Sequence, residues 1–167
     1  MVNVFKKRGA FNIEFFIRKR TNEDINEFIT WTYEGIYSFY DNNIQPDKID
    51  SLNQSIHSDR AFTVIDGEGN VAGNCEFYNV QEDENEILVV GLQMKPSLTA
   101  QGHGSKFSKA IIEQGRQLFN YDHLELAVAE FNKRAIRTYE KGGFVKRGEL
   151  EDTIRGNSYN FIIMAKD

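Results

Sequence analysis

The chain holds one cysteine, one tryptophan and two prolines in 167 residues. A single cysteine excludes an intramolecular disulfide framework and fits a reducing compartment. No Pro/Gly/Ser-rich stretch, low-complexity block or internal repeat divides the sequence. Residues 1–167 are therefore expected to form a single domain, with residues 1–10 as a loose arm. A domain of this length buries roughly 70% of the surface its unfolded chain exposes. No apolar run is long enough to span a bilayer. The basic start, Met1 to Arg8, leads into no apolar core of signal length. A soluble, cytoplasmic protein without a membrane partner is the expectation. Basic charge is also short, with 20 Lys and Arg against 25 Asp and Glu, a net charge of -5. That balance argues against nucleic acid as a partner, because phosphate backbones select basic faces. It mildly favours a cationic substrate, although net charge says little about any one pocket.

Aromatic residues are plentiful, with 13 Phe and 7 Tyr. Trp31, Tyr33, Tyr37, Phe39 and Tyr40 cluster around Gly35. Two readings stay open for them: core packing, or one wall of a substrate pocket.

Hydrophobic patterning gives the element order. A strand is expected at 13–19. A helix starts at Thr21, with Asp24 in its first turn and Ile25, Phe28, Ile29 and Thr32 on one face. A second helix spans 46–57, with Pro46 early, where its missing N–H costs little. Strands at 61–65 and 71–80 flank a turn at 66–70, and a polar loop is expected at 81–86. A strand at 87–94 precedes a helix at 105–119, whose stripe holds Phe107, Ala110, Ile111, Gln114, Gly115 and Leu118. A strand at 124–128 and a helix at 132–141 follow, the helix stopped by Gly142-Gly143. Strands at 144–147 and 159–164 close the chain as a pair. The order describes an α+β fold, mainly antiparallel, with one parallel element.

The parallel element surrounds Pro96-Ser97-Leu98-Thr99-Ala100-Gln101-Gly102-His103-Gly104-Ser105-Lys106. Strand, glycine-bearing turn and helix start, in that order, present free N–H groups and partial positive charge to an anion. Gly102 and Gly104 allow close main-chain approach. The spacing is neither a P-loop nor a dinucleotide fingerprint, since no Gly-Lys-Ser/Thr follows and Phe107 stands at the third glycine position. The stretch reads either as a pyrophosphate cradle or as a turn that needs glycine for geometry alone.

Two stretches carry a resemblance. Residues 96–104 are similar to the acetyl-CoA loop of the GCN5-related N-acetyltransferase (GNAT) superfamily, usually Gln/Arg-x-x-Gly-x-Gly/Ala. Asn132 to Phe144 resembles that family's second signature, Asn-x-x-Ala-x-x-x-Tyr-x-x-x-Gly-Phe. The match covers about residues 60–165 well and the N-terminal helices loosely. Thr99 departs from the loop's usual Arg or Gln, and His103 replaces a residue that is more often aliphatic. His103 reads as filling the loop rather than as catalytic, since acid–base work needs a placed partner.

The resemblance implies a GNAT-like mixed, mainly antiparallel central sheet flanked by helices, with a splayed parallel strand pair at the cofactor site. It implies that the amides of Gln101, Gly102, His103, Gly104, Ser105 and Lys106 hold the diphosphate of acetyl-CoA, with Thr99 and Ala100 completing the loop. The main chain of Leu92, Gln93 and Met94 would pair with the pantetheine arm like an added strand. An amide near Met94 would face the thioester oxygen. Asn132 would bind the cofactor arm and cap its helix. Tyr139, four residues after Ala135 and on the same helical face, would protonate the departing thiolate.

The other half of the reaction is less legible. An amine must lose a proton before it attacks. Glu76, Glu86 and Glu125 are the weak candidates for that base. Cys75 has no Cys-His arrangement around it and reads as a buried structural thiol, which favours direct attack by the amine. The expected function is acetyl transfer from acetyl-CoA to a primary amine, on a small molecule or a peptide, without a metal and with a homodimer as the favoured assembly. The alternative is a CoA-binding sensor or interaction module without turnover.

Overall fold

The computed structural model describes residues 13–167. The arm expected at residues 1–10 lies outside them. One seven-stranded sheet runs in the order β1-β2-β3-β4-β5-β7-β6. Strands β1 (Phe15–Lys19), β2 (Ala61–Asp66), β3 (Val71–Glu82) and β4 (Asn85–Met94) each run antiparallel to the next. Strand β5 (Leu124–Ala129) lies parallel to β4, and the hairpin β6 (Val145–Ile154) and β7 (Asn157–Lys166) closes the sheet through β7 against β5. Among the described residues, four α-helices join them: α1 (Asn22–Ile29), α2 (Pro46–Gln54), α3 (Gly104–Phe119) and α4 (Lys133–Lys141). The mixed sheet, with one parallel pair and flanking helices, is the architecture the two motifs implied.

Local chemistry explains the entry to α1. The Thr21 hydroxyl accepts from Asp24 N–H at 3.1 Å, and the Asp24 carboxylate accepts from Thr21 N–H at 2.9 Å. This reciprocal cap satisfies two donors that a helix start leaves open. Burial pushes the Asp24 carboxyl up, but Arg18 at 2.6 Å, the Thr21 N–H and the Thr63 hydroxyl at 2.7 Å outweigh it and hold the group at about 2. The helix ends at Ile29, so Thr32 lies beyond the face it was expected to share.

Three further expectations change. The loop expected at 81–86 shrinks to a tight turn at 83–84: β3 and β4 run on through residues 81–82 and 85–86, with Glu82 paired to Asn85. Asp83 turns the chain there at φ 52, and Asn79 donates across the strands to Glu86 at 2.8 Å. The buried stripe of α3 holds Ser108 and Ile112 besides Phe107, Ile111 and Gly115, whereas Leu118 is exposed. Helix α4 packs along α3, which widens the covered face beyond the single stripe. The closing hairpin is longer than its apolar residues suggested, because most of β6 faces solvent.

The core unites the inner face of the sheet with α3. Phe77, Phe107, Ile111, Leu124, Leu126, Phe144 and Met164 belong to one buried cluster. Gly115 matters for its lack of a side chain: a Cβ there would stand 2.2 Å from the Phe77 ring. Phe28 and Trp31 form a second cluster under α1 and α2, with ring centroids 4.9 Å apart.

Candidate active site

The parallel pair is joined at one register position, Val89 with Glu125. Beyond it β4 and β5 part. Lys95 N–H bonds to Ala72 O on β3 at 2.8 Å, so alternation turns the main-chain groups of Leu92 and Met94 the other way, toward β5. No register partner on β5 meets them. The gap opens into a cavity of about 260 Å³.

At its mouth, Pro96–Leu98 makes one 3-10 turn and α3 begins at Gly104. Between them Ala100 (φ 57) and Gly102 (φ 82) are left-handed. Glycine adopts that region freely, while alanine there costs on the order of 1 kcal/mol. The start of α3 has no side-chain cap, and its first helical hydrogen bond runs from Phe107 N–H to His103 O at 3.0 Å. The N–H groups of Gly104 and Ser105 therefore have no intrahelical partner. Gly104 sits against Thr138 of α4, where an added Cβ would make ordinary contact at 3.4 Å.

Of the residues singled out in the sequence, Leu92, Gln93, Met94, Thr99, Ala100, Gly102, His103, Gly104, Asn132 and Tyr139 all line this cavity. Gln101, Ser105 and Lys106 do not. Gln101 donates to Ser97 O at 2.7 Å on the outside of the turn, and Ser105 faces a second depression between α3 and α4. His103 is buried edge-on to the Phe15 ring. The Gln93 side chain belongs to an amide network, accepting from Asn42 at 2.9 Å and Asn74 at 3.0 Å and donating to Tyr40 O at 3.2 Å.

Asn132 caps α4 by accepting from Ala135 N–H at 3.2 Å, and it also donates to the Tyr40 hydroxyl at 3.2 Å. An amide side chain has four hydrogen-bonding positions, so two remain open. Tyr139 packs on Phe144, while its hydroxyl makes no hydrogen bond to another described residue. Burial, and next the neighbouring Tyr40 phenol, raise its pKa well above that of free tyrosine. It therefore keeps its proton at neutral pH, the state a general acid needs.

The carboxylates named as base candidates are elsewhere. Glu76 is exposed on β3 opposite Gly91, and Glu86 pairs with Asn79 at the hairpin end. Glu125 is buried, but Arg147 reaches it at 2.6 and 2.9 Å and His123 at 2.8 Å. No Asp or Glu lines the cavity among the described residues. The Cys75 thiol is buried and pushed up to about 12, chiefly by burial, which makes it a poor nucleophile. No group of three or more His, Cys, Asp or Glu among the described residues is disposed to hold a metal ion.

The aromatic cluster divides. Trp31 is core, whereas Tyr33, Tyr37 and Tyr40 form a wall of the cavity. The Tyr33 hydroxyl donates to Met94 O at 2.6 Å, tying that wall to the end of β4. Arg134 and Thr138, also in the lining, were missed in the sequence. Their one signal was an i, i+4 spacing beside the Asn132, Ala135 and Tyr139 face.

The acetyltransferase (GNAT) family model matches residues 22–144. No curated protein matches the sequence. Among solved structures, the chain is similar to an acetyltransferase (GNAT family) from Bacillus anthracis, at TM-score 0.71 and 18% identity, over 92% of this chain and 94% of that one. It is similar to a spermidine N-acetyltransferase SpeG chimera from Vibrio cholerae and hSSAT, at TM-score 0.73 and 21% identity, over 91% and 94%. A GNAT acetyltransferase from Streptococcus pneumoniae aligns at TM-score 0.62 and 20% identity, over 92% and 98%. At these identities the structural likeness shows the fold.

Proposed function

The chain belongs to the acetyltransferase (GNAT) family, and on that premise we propose that it is a single-domain N-acetyltransferase moving the acetyl group of acetyl-CoA to a primary amine by direct attack. One observation carries the reading. The uncapped start of α3, the unpaired edge of β4 and the proton-bearing phenol of Tyr139 all open into one cavity.

The residues fit the coenzyme. An anion suits the bare N–H groups and dipole at Gly104 and Ser105, with Gly102 leaving the approach clear. An extended amide-bearing chain suits the edge groups of Leu92, the Met94 N–H and the open positions on Asn132. When bound, acetyl-CoA supplies an acyl group activated as a thioester. The amine nitrogen gains a bond to the acetyl carbon as the carbon–sulfur bond breaks. Tyr139 gives its hydroxyl proton to the sulfur and recovers one from water. The proton the amine sheds also leaves through water, because the lining offers no carboxylate.

That missing carboxylate is the one feature on the side of a CoA-binding module without turnover. Thiol release decides between the two. Transferase function predicts free CoA thiol from acetyl-CoA with at least one amine in a broad panel. Saturable CoA binding without thiol release would establish the binder.

A further inference from the structure

Resting on the acetyltransferase reading, we propose that the acceptor carries an anionic group, such as a carboxylate, beside its amine, and that Arg134 is the specificity residue that pairs with it.

Among the described residues, Arg134 is the one Lys, Arg, Asp or Glu lining the cavity. Its guanidinium lies 4.3 Å over the Tyr37 ring, and it makes no ion pair with a described residue. Its place along α4 separates it from the cradle. Thr138 is the α4 residue in contact with Gly104, and Arg134 lies one turn, roughly 5.4 Å, toward the tyrosine wall. Stacking on Tyr37 fixes it on that side.

The back of the same wall is cationic too. Arg155 lies 5.9 Å over Phe39 and reaches Phe39 O at 3.5 Å. Lys48 donates to Tyr40 O at 3.1 Å and Asp41 O at 3.2 Å. The nearby Asp41 carboxylate is occupied by Tyr33 N–H at 2.7 Å. A polyamine entering here would find no counter-charge for its second ammonium. A carboxylate would meet a planar, two-pronged donor already held in place. The chain's net charge of -5 favours cations in general, yet the local charge of this pocket has the opposite sign.

The test compares acceptors that differ in one group. The twenty amino acids, their decarboxylated amines and spermidine are assayed by thiol release, and acetyl-CoA binding is measured by calorimetry. The best acceptor is expected to be an amino carboxylate, with kcat/KM roughly tenfold or more above its decarboxylated partner and above spermidine, as a charge-assisted hydrogen-bonded pair implies. Arg134→Gln should remove most of that preference by raising the acceptor KM, and Arg134→Lys should keep part of it. Both should bind acetyl-CoA as the parent does, which also shows that they fold. A preference for spermidine or a plain amine, or no turnover of any amino carboxylate, overturns the inference while acetyl-CoA binding keeps the transferase fold reading intact. An Arg134→Gln protein that loses acetyl-CoA affinity but keeps the acceptor preference overturns it too. Absence of both acetyl-CoA binding and thiol release in the parent sinks the transferase reading and this inference together.

Discussion

The two ends of the β4–β5 pair are built on opposite plans, only a few residues apart. At the closed end, Val89 and Glu125 stay in register, and Glu125 is wrapped by Arg147 and His123. Arg147 also meets Glu82 from the β3–β4 hairpin at 3.2 Å, and His123 meets Asp167 at 2.6 Å. At the open end, Ala127 and Val128 of β5 line a cavity, and Leu92 and Met94 have no strand partner across it. A sheet can part at one end when the other is pinned by groups that satisfy each other. The contrast also separates two kinds of perturbed side chain. Glu125 is buried and fully engaged, whereas Tyr139 is half-buried with an idle hydroxyl. Burial alone does not mark a catalytic group; an unspent proton facing a cavity is what singles out Tyr139 in the proposed mechanism.

The contrast can be broken at either end. Arg147→Ala leaves the Glu125 carboxylate buried with one partner fewer. It should cost roughly 3 kcal/mol in urea unfolding, at the low end for a broken buried pair because Arg147 is itself 40% exposed. Tyr139→Phe should leave folding and coenzyme affinity nearly unchanged but lower kcat about 100-fold. An unaltered kcat removes Tyr139 from the chemistry. Gly115→Ala pushes a methyl into the Phe77 ring behind both ends and should destabilise by about 2 kcal/mol, read by the same unfolding curve.

The smallest effect is pH dependence at the closed end. Glu125, then Asp167, raise the His123 pKa above its ordinary 6.5. The protonated imidazole therefore contributes its full stability below pH 6.5, and that contribution is lost as pH rises through the raised folded value. Thermal melts of the parent should decline more steeply over this range than those of His123→Gln. Parallel slopes would show that His123 is not coupled to folding.

Much of this architecture was legible because it is written locally. The Thr21–Asp24 cap, Pro46 at a helix start, and the strand–glycine–helix order at residues 87–106 each lie within one short stretch. So does the motif that puts Asn132, Ala135 and Tyr139 on one face. What escaped depends on distant partners. Glu125 looked like a free strand carboxylate because Arg147 is 22 residues away, and Glu82 reaches that arginine from 65 residues away. Ser108 and Ile112 gained cover from α4, which the α3 periodicity alone does not reveal. Tyr33, Tyr37 and Tyr40 were ambiguous between core and pocket because Tyr33 lies outside any regular element and the 3-10 segment that holds the other two, Gly35–Tyr40, is too short to show an α-helical or strand period.

The account rests on the open end receiving a doubly charged ligand at the bare start of α3. Calorimetric titration of acetyl-CoA into the folded protein, beside a Gly102→Val variant whose branched side chain strains the left-handed turn, tests this most directly. One saturable site, weakened roughly tenfold or more in the variant, is the predicted result. No heat from the folded parent, or equal affinity in a folded variant, would contradict it.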